Sequence, residues 1–187
     1  MHDIEKKAEA ILLEPADTHA DKMEEILGLV YSSEVDFADL YLQNTIEETW
    51  SLEDGQVKDV DFSIDRGFGL RAVKQDQVGF AYADDITLPL LRNAAQAAKR
   101  IASPHDRSLV RCNAKPLGHS LYHAIDPVCS LADQDKCNLL RQMDQYARQL
   151  DPRVKQVFIS LTSTYDAVMV FTSDGNRATD LRPLVHL

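Results

Sequence analysis

Five residues able to ligate a soft metal, Cys112, His119, His123, Cys129 and Cys137, fall in one stretch of the chain. The segment HSLYH sets two imidazoles four residues apart, a spacing that on a helix would turn both to one face and could hold zinc. Pro116, Gly118 and Pro127 bracket the stretch and disfavour a helix there. The cysteines never stand as Cys-x-x-Cys, so their spacing gives neither a zinc ribbon nor a disulfide framework. A loop carrying reduced thiols is the expectation.

Acid and base chemistry would need paired carboxylates, and Glu47-Glu48, Glu53-Asp54 and Asp84-Asp85 are adjacent. On a strand, neighbouring side chains point to opposite faces and cannot converge on one bond, so these pairs read as solvated edges and turns. Glu48 shares the phase of Ile46 and Trp50, which predicts partial burial and a structural ion pair with a cation such as an arginine. Arg66 has that phase but is expected at a turn, and Arg71 has the opposite phase. Gly67-Phe68-Gly69 raises the question of a phosphate cradle, which requires a glycine loop between a strand and a helix. Here the glycines run on into Leu70-Arg71-Ala72-Val73, more strand, and the third glycine of the fingerprint is missing. His-Glu-x-x-His, Gly-x-Ser-x-Gly and Gly-Lys-Ser/Thr are all absent from the sequence. No catalytic, cofactor-binding or metal-binding residue is therefore assigned in this chain.

The elements that would carry these residues follow from periodicity. Ile4, Ala8, Ile11 and Leu12, then Met23, Ile26, Leu27, Val30 and Tyr31, recur at helical spacing, with Pro15 as a break and Asp17 and Thr18 as a cap between them. From Leu40 to Tyr82 the period is two, with apolar residues at even numbers and turn signals at Asp54-Gly55 and Lys74 to Gln77. This predicts an antiparallel sheet of about four strands with one buried face. On that reading Gly67, Gly69, Gly79, Ala81 and Ala83 lie opposite the core, a bare face open either to the domain's own alanine-rich helix or to a partner. A helix follows from Leu88 to Ile101 with Thr87 as cap, then a long connection over residues 103 to 130. Another helix opens at Asp133 and ends at Asp151-Pro152, and strands with a turn at Asp174-Gly175 run to Leu187. The fold class is α+β, a two-layer unit with a mostly antiparallel sheet packed by amphipathic helices.

A length of 187 residues suits one domain or slightly more, and 44% hydrophobic with 27% charged residues is ordinary globular usage. A net charge of -10 without a basic stripe argues against nucleic acid as a partner. The apolar runs are far shorter than the ~20 residues of a membrane span, and the acidic start has no secretory pattern, so no membrane and a cytoplasmic address are expected.

The ordered motifs WSLEDGQVKDVDFSIDRGFGLRAV, GFAYAD, NAAQAAKRI and TSDGNRATDLRPLV resemble the amino-terminal part of the TldD/PmbA family, on its TldD branch, from about Asp36 onward. The resemblance implies a subunit of a metallopeptidase, also described as a modulator of DNA gyrase. Such a subunit pairs with a PmbA/TldE-like subunit to cleave or mature small or unfolded peptides. It implies a zinc-type metal held by a His-Glu-x-x-x-His helix and a later cysteine of the carboxy-terminal half, residues absent here, so Cys112, Cys129 and Cys137 are not that cysteine. Residues 1–187 then correspond to the family's amino-terminal domain, inactive alone, cut off near the start of the next part. The alternative is a stand-alone interaction or scaffold module that keeps the fold without catalysis, and the codons beyond Leu187 would separate the two.

Overall fold

The computed structural model describes residues 2–32, 34–101, 110–114 and 123–187. His119 of the Cys/His stretch, and much of the long connection, lie outside them. Helices α1 (His2–Leu12) and α2 (Ala20–Val30) are followed by strands β1 (Phe37–Glu53), β2 (Gln56–Lys74) and β3 (Gln77–Ala83). Then come helix α3 (Leu88–Ala98), strand β4 (Asn113–Ala114), helix α4 (Asp133–Leu150), and strands β5 (Phe158–Thr172) and β6 (Asn176–His186). The six strands order as β3-β2-β1-β5-β6-β4. The sheet is antiparallel except for β4, which runs parallel to β6 through Asn113↔Asn176 and Ala114↔Arg177. The expected α+β class is the observed one.

The chain divides into two compact units, residues 1–44, 65–121 and 167–181, and residues 45–64, 122–166 and 182–187. In the first unit α1 and α2 bury Leu12, Met23, Ile26, Leu27 and Val30, the stripes their periodicity predicts. Pro15 stands in a 3-10 turn whose exit, Asp17, takes the left-handed conformation. Thr18 does not cap α2: His19 holds that position, and the buried Thr18 hydroxyl has no partner among the described residues. Thr87 stands at the N-cap of α3 yet donates or accepts no capping side-chain bond; only its carbonyl is used, by Leu91 N–H at 2.9 Å. Arg177 of β6 holds α1 through Glu5 and, at 3.7 Å, Glu9.

The stretch from Leu40 to Tyr82 forms three strands, not about four. Both turns are as placed: Asp54 and Gly55 each have positive φ, the conformation of the two-residue hairpin, and Gln75 adopts it without being glycine. Arg66 is not at a turn but inside β2, where its guanidinium donates to the Leu12 carbonyl at 2.8 Å and closes the end of α1.

The single buried phase is corrected. Leu40, Leu42, Phe68, Leu70 and Ala72 are buried, but Val60, Phe62, Ile64, Val78, Phe80 and Tyr82 are exposed. Lys74 pairs with Gln77, Leu70 with Ala81 and Ala72 with Gly79, so the face that takes even residues of β2 takes odd residues of β3. A two-residue hairpin inverts parity because directly paired residues share a face. The glycines consequently divide. Gly79 lies on the covered face, where a Cβ would run into the Ala98 carbonyl of α3; Gly69 lies on the other, where a Cβ would stand 3.3 Å from the Phe80 ring. At Gly67 a Cβ would come within 2.6 Å of the Ala83 carbonyl.

In the second unit α4 lies on one face of the strands. Trp50, Leu52, Leu140 and Leu161 form its core, with Val57, Cys137 and Ile159 packed against them. Here too the turn inverts parity, since odd-numbered Val57 joins even-numbered Trp50 and Leu52. The helix buries Lys136, Leu140 and Asp144, four residues apart, while Leu139, Tyr146 and Leu150, which also recur at helical spacing, are exposed.

Candidate functional site

The acidic pairs separate as strand geometry requires. Glu47 accepts from Thr164 at 3.2 Å on the open face, where Thr49 and Thr162 meet at 3.1 Å and Thr45 donates to Asp166 at 2.5 Å. Glu48 points the other way, is 8% exposed, and pairs with Lys136 at 2.5 Å. The lysine, fully enclosed, also donates to the Val128 carbonyl at 2.8 Å and stands 5.6 Å from the centre of the Trp50 ring. Three acceptors thus surround one ammonium, which is how a charge is kept in an interior. The arrangement is an anchor for α4, because the ammonium is enclosed against Glu48 of β1 while it also stands 3.8 Å from the exposed carboxylate of Asp133 on its own helix. The partner is a lysine on a helix 88 positions away, not an arginine.

Asp54 sits in the left-handed turn and accepts from Arg148 at 2.5 Å and from Val157 N–H at 3.2 Å. The guanidinium, then the backbone donor, hold its carboxyl below the usual carboxylate range. Asp85 uses its carboxylate to accept from Ile86 N–H. The carboxylates of Glu47, Glu48, Asp54 and Asp85 are thus each taken up by a structural bond.

The thiols are separated as well. Cys112 belongs to the first unit and donates to the Thr172 carbonyl at 3.5 Å; burial, then Glu24, push its thiol up. Exposed Cys129 is raised by Asp126, and Cys137 packs on the Trp50 cluster. Raised thiols are poor nucleophiles and poor metal ligands. Among the described residues no three His, Cys, Asp or Glu come together as a metal site.

What the geometry does offer is open strand surface. In the first unit β3 is the sheet's outer strand, and Val78, Phe80 and Tyr82 are exposed, the two rings stacked 6.0 Å apart. In the second unit the outer strand is β2 itself, since β3 pairs only with Phe68 to Lys74, and every residue from Lys58 to Ile64 is exposed. Sequence reasoning missed this surface because it counted Val60, Phe62 and Ile64 into the core. The signal was present in the two-residue spacing of Asp54-Gly55, which reverses parity between β1 and β2.

Residues 38–102 match the PmbA/TldA metallopeptidase domain 1, and residues 126–187 match the PmbA/TldA metallopeptidase central domain. The chain belongs to the PmbA/TldD family. It is 40% identical to the Metalloprotease TldD homolog of Haemophilus influenzae over 94% of this chain and 37% of that protein. It is 38% identical to the homolog of Buchnera aphidicola subsp. Schizaphis graminum over 81% of this chain and 31% of that protein. The chain thus spans about a third of these relatives' length. Among solved structures, TldE from Thermococcus kodakarensis is similar with a TM-score of 0.64 at 16% identity, over 88% of this chain and 37% of that one. A Thermotoga maritima protein described as a modulator of a DNA gyrase gives 0.66 at 11%, over 87% and 37%. At these identities the likeness is one of fold. No described helix is long and apolar enough to cross a membrane.

Proposed function

We propose that this chain is the amino-terminal part of a TldD-like metallopeptidase subunit, which works with a PmbA/TldE-like partner on small or unfolded peptides in the cytoplasm. The observation that carries the reading is the 40% identity to a metalloprotease TldD homolog sustained over 94% of the chain. Domain 1 and central-domain matches in the family's order support it. The metal implied by the metalloprotease name does not fit the described residues, which bring no ligand set together. In this reading metal and hydrolysis belong to a carboxy-terminal half, and the present chain shapes the subunit around them. A net charge of -10 speaks against nucleic acid as a direct ligand.

The test is hydrolysis of a fluorogenic peptide by the purified 187-residue chain, alone and with a PmbA/TldE-like subunit. No turnover is expected from the chain alone. Chelator-sensitive cleavage by it would overturn its assignment as the non-catalytic part, and failure to associate with that subunit would remove the partnership.

A further inference from the structure

Helix α4 buries one line of residues, Lys136, Leu140 and Asp144, and carries a second, apolar line that is left uncovered among the described residues. Leu139, Tyr146 and Leu150 are 36%, 64% and 68% exposed. At 3.6 residues per turn they fall within roughly 40° of one another and about a quarter-turn from the buried line. They therefore form one stripe along the helix flank, with half-buried Met143 at its inner margin. The residues on its solvent side, Asn138, Gln142 and Gln149, are exposed and uncharged, so no charge has to be desolvated when another helix is laid along it. We propose that this stripe is a contact between two copies of the chain, whose α4 helices pack antiparallel about a two-fold axis.

The two ends of the stripe decide the occupant and its direction. The first turn of α4 exposes Asp133 and Asp135, and just past its last turn stand Asp151, Arg153 and Lys155, one negative charge against two positive. Arg148 is already held by Asp54 and Asp144. Parallel copies would set acid against acid and base against base, whereas antiparallel copies set each acidic end beside the other's basic end and oppose the two helix dipoles. Centred between Asp144 and Gln145, the pairing brings Leu139 of one copy to Leu150 of the other and Met143 to Tyr146. The apolar line is thus complementary to itself, as a two-fold contact requires, and the association closes at two copies. A helix of another protein that is acidic or basic throughout would match one end and be repelled at the other. A stripe about 16 Å long falls short of the roughly 800 Å² per partner of a stable interface, so the pair should be weak, with a dissociation constant on the order of 100 µM. The inference is independent of the metallopeptidase reading, because self-association and hydrolysis are measured, and fail, separately.

The experiment is sedimentation equilibrium of the purified 187-residue chain from about 10 µM to about 1 mM, with circular dichroism to check the fold of each variant. A monomer–dimer equilibrium is expected that goes no further than two copies. Tyr146→Glu, at an exposed position, should weaken it about tenfold or more. Asp135→Arg and Arg153→Asp should each weaken it about threefold, and the two together should restore most of the loss, because the reversed charges then face each other across the axis. Phe62→Ser, which removes an exposed ring elsewhere in the same unit, should leave it unchanged. A chain that stays monomeric throughout overturns the proposal, as does a dimer indifferent to Tyr146→Glu or one abolished by Phe62→Ser. Absence of rescue in the double charge reversal would mean apolar adhesion without antiparallel order and overturns it too.

Discussion

Strand β2 carries two apolar runs with the same alternation, Val60, Phe62, Ile64 and Phe68, Leu70, Ala72, and they meet opposite fates: the first is exposed, the second buried. The difference lies in what stands beside them. Phe68 to Ala72 pair with Ala83, Ala81 and Gly79, residues small enough for α3 to lie close, and that helix buries Leu91, Ala94, Ala95 and Ala98. No strand flanks Val60 to Ile64 on the outer side among the described residues, and α4 covers the opposite face, where Val57 points. Alternation defines faces; small residues on a neighbouring strand decide which face a helix can close over.

The covered side of that comparison is most sharply broken at Lys136. Lys136→Ala leaves the Glu48 carboxylate buried without its partner, and removing one member of a buried pair costs about 4 kcal/mol. Chemical denaturation should show that loss, and Lys136→Met combined with Glu48→Leu should restore most of it. If the single variant changes stability by less than about 1 kcal/mol, the pair is not the anchor of α4.

Leu70→Ala comes next, with an expected loss of about 3 kcal/mol for a fully buried leucine. Ile64→Ala, six residues earlier on the same strand, should change stability by no more than about 0.5 kcal/mol, as at an exposed position. Equal losses at the two sites would erase the contrast. Gly79→Ala, which sets a methyl group against the Ala98 backbone, should cost about 2 kcal/mol. Gly69→Ala meets only the Phe80 ring, a side chain that is 61% exposed and free to yield, and should be far milder in the same thermal melt.

These contrasts mark how far the sequence could be read. The helices, both β2 turns and the α+β class follow from period and turn residues because those signals are local. The Ala-rich α3 stripe also suffices to predict close approach to a sheet. Burial of the even positions failed at Val60 to Ile64, after the Asp54-Gly55 turn, and again past Lys74, where the pairing Lys74↔Gln77 reverses parity, so turn length had to be counted into the phase. Partner identity was further out of reach: Glu48 announces that it needs a cation, but Lys136 is selected by tertiary packing, and its only local sign is the four-residue recurrence with Leu140. The metal-ligating types near Cys112 mislead by proximity in sequence, since Cys112 and Cys137 belong to different units.

The smallest effect is expected at the exposed end of α4, where Arg148 meets Asp54. The carboxyl titrates lower in the folded chain than the ordinary value of 3.8, chiefly because Arg148 donates to it and next because Val157 N–H does. A folded pKa below the unfolded one means that the unfolded chain binds the proton more readily, so this contribution is fully present above the ordinary carboxylate range. It erodes as pH falls below about 3.8 and is gone once pH passes the lowered folded value. Asp54→Asn tests this cleanly, because asparagine tolerates the positive φ of the turn while removing the charge. The stability gap between the native chain and this variant, followed by circular dichroism, should close as pH drops through that window. A gap that stays constant would place the role of Asp54 in turn geometry alone and leave the ion pair with Arg148 without energetic weight.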